Sequence, residues 1–153
     1  MPAFRKFRLP LAAATLLAAI AVFASLVAAK PSANPRFAYT DTFVTSEIFY
    51  DYCVGFACQP TEQFAAARRA SIESDGTIVP YLEQRFDDAP KAGKFYIALV
   101  IRAHDKAKGD ALLHGLAKGN GEVRVFSGCI LQPERLDRLA VSYLNRPAFK
   151  FER

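Results

Sequence analysis

The amino-acid sequence predicts an all-α domain, a small bundle or short helical-hairpin repeat, behind an N-terminal export segment. Three observations predict it. Apolar residues in most of the chain recur at helical spacing. Hydroxyl or acidic residues stand ahead of the apolar runs, where a side-chain oxygen can accept from an orphan N–H of a first helical turn. The 124 residues from Lys30 onward suffice for one hydrophobic core and are too few for two.

The first element is a leader. Residues 1–8 carry Arg5, Lys6 and Arg8 and no acid, residues 9–29 are apolar apart from Thr15 and Ser25, and Val27-Ala28-Ala29 ends the run in small residues. A basic start, an apolar middle and a small-residue exit make a secretory signal peptide, residues 1–29. The apolar run is about 20 residues long, which also spans a bilayer core, so a retained signal anchor is the alternative. Alanine dominates it, which favours cleavage. Residues 30–40, rich in turn formers, read as a linker.

From residue 41 onward the chain reads as helix after helix. Val44, Ile48 and Tyr52 place a first helix over 41–54, ended by Gly55 and Cys58-Gln59-Pro60. Thr61 caps a second, with Glu62 suited to its positive end. Thr77 caps a third, bearing Ile78, Val79, Leu82 and Phe86, with Pro80 tolerated in its first turn. Asp87-Asp88-Ala89-Pro90 precede a fourth around Phe95–Ile101. Asp110 caps a fifth, whose Leu112, Leu113 and Leu116 share a face, and Gly119 stops it. Val123, Phe126 and Ile130 outline a sixth. A last helix opens at Pro133 with Leu136, Leu139, Ala140 and Tyr143 in one stripe, and Asn145 and Pro147 end it. The helical domain therefore covers 41–147, with a tail over 148–153. An α+β fold pairing strands near 95–101 and 123–130 is the alternative, since both runs are rich in aromatic and β-branched residues.

Residues 76–131 fall into two helix–turn–helix pairs whose first helices begin about 33 residues apart, a repeat-protein period. The runs Thr77-Ile78-Val79-Pro80-Tyr81-Leu82 and Ala111-Leu112-Leu113, with the second-helix entry Gly121-Glu122-Val123-Arg124, resemble HEAT-like helical repeats. The first pair departs from that pattern, with Lys91-Ala92-Gly93-Lys94 at the entry. The resemblance implies a protein-binding scaffold and no catalysis.

Composition narrows the function classes. Removing the leader's three cations leaves 17 basic against 15 acidic residues, a net charge of +2, and the cations are scattered. A nucleic-acid surface would concentrate them in a stripe, so no nucleic-acid partner is expected. Cys53, Cys58 and Cys129 all lie in the exported part, where one disulfide and one spare thiol are expected. The local Cys53–Cys58 bridge is favoured over Cys58–Cys129, with Cys129 left as a buried apolar thiol. Neither histidine stands at ligand spacing from a cysteine, so no metal or cofactor is expected. Gly119-Asn120-Gly121 is a turn and not a phosphate loop. His104 and His114 have no nucleophile motif near them, which leaves a Cys/His-dependent hydrolase as an alternative only.

Aromatic residues suggest how the domain works. Phe43, Tyr50 and Phe56 in the first helix, and Phe149 and Phe151 in the tail, are candidates for a contact surface. The expectation is an exported periplasmic or secreted protein that binds another envelope protein as an adaptor, inhibitor or immunity-type protein. A membrane-anchored structural subunit is the alternative if residues 9–29 are retained. N-terminal sequencing of the protein from its host should begin near Lys30. An intact Met1 in the soluble cytoplasm would end the export reading, and an intact Met1 in the membrane fraction would identify an anchor.

Overall fold

The computed structural model describes residues 34–55, 57 and 59–146, with only the backbone of Tyr52 and Cys53. These belong to one compact unit, Ala33–Arg153. The leader and the tail, and with them Phe56, Cys58, Phe149 and Phe151, lie outside the described residues.

The fold is α+β, which corrects the all-α expectation. After a 3-10 turn at Pro35–Thr40 come α1 (Asp41–Val44), β1 (Ile48–Val54), α2 (Glu62–Ile72), α3 (Ile78–Phe86), α4 (Lys91–His104), α5 (Lys106–Lys118), β2 (Glu122–Gly128), β3 (Ile130–Arg135) and α6 (Leu136–Leu144). The strands form one mixed sheet in the order β1-β2-β3. β1 pairs parallel to β2, with Phe49 opposite Val125, and β2 pairs antiparallel to β3, with Phe126 opposite Leu131.

Two expected helices fail for identifiable reasons. The first stops after a single turn because hydroxyls bond the backbone there. Thr45 donates to the Asp41 carbonyl at 2.7 Å, and Ser46 donates to the Ile48 carbonyl at 2.7 Å. Such local bonds compete with helix continuation. From Ile48 the aromatic and β-branched residues suit a pleated surface, and Phe49 turns into the core while Tyr50 turns away. The helix expected over 123–130 is β2 and the hairpin that follows it. Val123 and Val125 are buried while Arg124 between them is exposed, a period of two. Gly128, with φ +59°, opens the two-residue turn to β3. The alternative pairing of 95–101 with 123–130 fails too. Phe95–Ile101 lies inside α4, and the neighbours of β2 are β1 and β3. Pro133, expected to open the last helix, lies within β3.

The other elements follow their local chemistry. Thr61 caps α2 by accepting from the Phe64 N–H at 3.3 Å, as expected. At α3 the capping is done by Asp75, which accepts from the Thr77 N–H at 3.1 Å and from the Thr77 hydroxyl. Those bonds and Arg36 hold the Asp75 carboxyl down at about 2. α5 begins earlier than expected, because Asp105 accepts from the Lys108 N–H at 3.0 Å. The stretch read as a linker carries the 3-10 turn, where Phe37 packs on Tyr81 with ring centroids 5.2 Å apart.

At the centre lies α4, buried without interruption from Phe95 to Arg102. A helix apolar on every side must be surrounded, and α1, α2, α3, α5 and the sheet surround it. Phe49 from β1 meets Phe95 edge-on at 4.8 Å, and Tyr143 from α6 meets Phe95 edge-on at 5.1 Å. α4 ends in a buried cation. The Arg102 guanidinium donates through Nε to Asp110 at 2.5 Å, and through Nη1 and Nη2 to the carbonyls of Tyr143 (2.9 Å), Leu144 (3.3 Å) and Arg146 (3.4 Å). Tyr143 and Leu144 close α6 and Arg146 follows its C-cap; the Tyr143 carbonyl also accepts from the Arg146 N–H at 3.2 Å, so the guanidinium adds to the capping of that helix end. α5 can approach Arg102 only because residue 109 is glycine: a Cβ there would collide with the Arg102 backbone. Burial pushes the Asp110 carboxyl up, but the bonds from Lys106 and Arg102 outweigh it and hold it below its ordinary value.

Arg102→Met should therefore destabilise the domain by about 3–5 kcal/mol, since it removes the guanidinium donors from the Tyr143, Leu144 and Arg146 carbonyls and the charge partner of Asp110. Urea denaturation measures this, and a loss under about 1 kcal/mol would show that α6 docks without the guanidinium. Leu136, Leu139, Ala140 and Tyr143 are all buried, as the stripe predicts. Leu139→Ala should cost about 2–5 kcal/mol in the same assay. A neutral result would place the seam elsewhere.

Candidate interaction surface

The sheet has two unlike faces. Phe49, Val123 and Val125 are buried against the helical layer. Residues of opposite parity, Ile48 and Tyr50 on β1, Glu122, Arg124 and Phe126 on β2, and Leu131, Pro133 and Arg135 on β3, line the other face. None of these is fully buried. Tyr50 and Phe126 meet edge-on at 6.0 Å, and Leu131 stands opposite Phe126 in the register. An apolar diagonal thus crosses all three strands, with Arg124 exposed beside it.

The diagonal runs towards an end of the sheet rich in uncharged residues. The turn after β1 meets the β2–β3 turn there, the Gly55 N–H donating to the Gly128 carbonyl at 2.6 Å. Ala57 and Cys129 are exposed, and Ile130 and Leu131 are 63% and 49% exposed. Between Val54 and Gln59, and between Phe126 and Gln132, there is no charged residue. The opposite end is polar: Gly119–Glu122, Arg135 and Asp137 line a hollow of about 340 Å³, and Arg135 is paired with Asp137 at 2.6 Å. A second hollow of about 140 Å³, lined by Arg36, Tyr39, Arg69 and Glu73, likewise holds mutually paired charges. Arg36 bonds Asp75 at 2.9 Å, and Arg69 bonds Glu73 at 3.1 Å.

The expected contact residues are distributed differently. Phe43 is completely buried and packs on Tyr96, with ring centroids 5.8 Å apart. Tyr50 lies half-buried on the open sheet face. Phe56, Phe149 and Phe151 are outside the described residues. Of the patch, Phe126 and Ile130 fall with Val123 on one stripe of the expected sixth helix, and Leu131 is not singled out by the sequence. The alternation from Val123 onward was the signal that would have placed Phe126 on the opposite face from Val125.

The cysteine expectations also change. No disulfide is present among the described residues, the side chains of the favoured Cys53–Cys58 pair lying outside them, and Cys129 is a free, exposed thiol and not a buried one. It occupies the second position of the hairpin turn, where a side chain points away from the core. The His104 Nε2–H donates to the sequence-distant Ala70 carbonyl at 2.9 Å, tying α4 to α2, and His114 is exposed. Among the described residues no hydrogen bond joins Cys129 to either histidine, and no metal-ligating cluster occurs. No described helix is long and apolar enough to cross a membrane. Comparison with protein-family models, curated proteins and solved structures finds no match.

Proposed function

We propose that this chain is an exported envelope protein that acts by binding another protein, as an adaptor, inhibitor or immunity-type component. The leader over residues 1–29 supports export to the periplasm or beyond, because its basic, apolar and small-residue order is that of a secretory signal. One observation carries the binding reading. Leu131 stands exposed beside the Tyr50–Phe126 pair, and Ile130, of the other parity, stands exposed next to it at the hairpin turn, at an end of the sheet where the Asp51 carboxylate is bonded to Ser127. Exposed apolar surface with a polar margin marks a contact site, and the margin on this face is Arg124 and Glu122.

Burying Leu131 and Phe126 in a partner would release ordered water from both surfaces, and the aromatic pair would supply rigid contact area. Arg124 would add selectivity more than affinity, as a charge at an interface rim does.

A pull-down from envelope extract with the full chain as bait should retain a partner that Leu131→Asp and Ile130→Asp together release. The melting temperature of that variant should change little, because both side chains are already in water. Retention unchanged by the double substitution would refute this surface. A large drop in melting temperature would show instead that the two residues support the fold.

A further inference from the structure

Both edges of a three-stranded sheet ordinarily present unpaired N–H and C=O groups, a template for another strand. Here each edge is occupied or interrupted. On β1 the groups facing away from β2 belong to alternate residues, and two hydroxyls meet them. The Tyr96 hydroxyl accepts from the Tyr50 N–H at 2.9 Å and donates to the Tyr50 carbonyl at 3.1 Å. One oxygen thus acts as donor and acceptor at once, as a residue of a neighbouring strand would. Two positions earlier the Ser46 hydroxyl donates to the Ile48 carbonyl at 2.7 Å, and the Ile48 N–H lies 3.4 Å from the same oxygen. At the far end the chain turns back on itself, the Gln59 N–H donating to the Val54 carbonyl at 3.2 Å.

The register of the hairpin gives the state of the other edge. Ser127 and Ile130 flank the two-residue turn, and the Leu136 N–H donates to the Gly121 carbonyl at 3.0 Å. In an antiparallel pair the bonded positions alternate, so Ile130, Gln132 and Glu134 turn their backbone groups to β2. Leu131, Pro133 and Arg135 turn theirs to the free edge. Proline, which has no N–H, therefore occupies the middle of that edge, and a charged arginine follows it.

We propose that the sheet is built against strand addition at both edges, by the Ser46 and Tyr96 hydroxyls on β1 and by Pro133 on β3. A second copy of the chain, or any extended peptide, then finds no continuous ladder to join, and whatever binds the sheet meets its side chains. Tyr96 is 1% exposed and its ring is fixed between Phe43 and Phe49, so the hydroxyl cannot swing aside without opening the core. Burial also pushes its phenol well above the ordinary tyrosine range, which keeps the hydroxyl protonated and able to donate at neutral pH.

Hydrogen exchange and sedimentation of the full chain test this. In the wild type the Tyr50 amide, although on an edge strand, should exchange as slowly as the amides β2 gives to β3. Tyr96→Phe should accelerate it about tenfold while α5 amides keep their rates, the effect of one lost hydrogen bond. Pro133→Val restores a donor on the exposed edge and should make the sedimentation mass rise with concentration beyond that of the wild type. An unprotected Tyr50 amide in the wild type overturns the β1 assignment even if Tyr96→Phe does not fold, and so does a folded Tyr96→Phe with unchanged exchange. A Pro133→Val chain whose mass follows that of the wild type overturns the β3 assignment.

Discussion

The buried guanidinium of Arg102 is the constraint on which the layered arrangement depends. Taking a cation out of water is unfavourable by several kcal/mol unless every donor finds a partner and a negative charge stands close. Here the partners come from two other helices: the Asp110 carboxylate on α5 and the final carbonyls of α6. The negative end of the α6 dipole also faces the cation. Because the group is satisfied only when α4, α5 and α6 are all in place, it couples their docking. The apolar seam below supplies most of the free energy, but it would tolerate small rotations of α6 that the fork of the guanidinium does not.

What was legible in the sequence is what local interactions settle. α2, α3, α4 and α6 follow from apolar period and from breakers such as Gly76 and Asn145, and the buried stripe Leu136, Leu139, Ala140 and Tyr143 is found as read. The sheet was not legible in that way. Val44, Ile48 and Tyr52 fit a helical stripe by spacing alone, and only the hydroxyls of Thr45 and Ser46 argue for a break between them. Val123, Phe126 and Ile130 also fit helical spacing, yet every one of them stands on a hairpin whose order depends on pairing with β1. Strand preference is decided by such distant neighbours more than by the residues themselves. The candidate surface was missed for the same reason, since an error of period moves a side chain from one face to the other.

Arg102 also shows a limit of reading charge from sequence. Nothing in the Ile101-Arg102-Ala103 context distinguishes it from the surface arginines, and the i, i+8 relation to Asp110 crosses a helix break. The informative residue was Gly109, a glycine within a helical run whose missing side chain leaves room for the α4 backbone.

The parallel pairing of β1 with β2 has a consequence for how the chain acquires this structure. Ile48 is opposite Arg124, and Asp51 bonds Ser127 across a sequence separation of 76 residues, with four helices between the strands. No tight turn can bring these strands together, so their ladder forms only after the intervening chain has been laid down and folded back. Loops of that length make strand pairing a late and slow event. As the chain emerges from the ribosome, β1 must wait with Phe49 uncovered, while α4, the helix that will bury it, is still being synthesised. In that interval Ser46 can bond its own neighbour Ile48 without waiting, because that contact is local. Tyr96 arrives only with α4, so during synthesis β1 passes through a stage that is half guarded and briefly open to other chains.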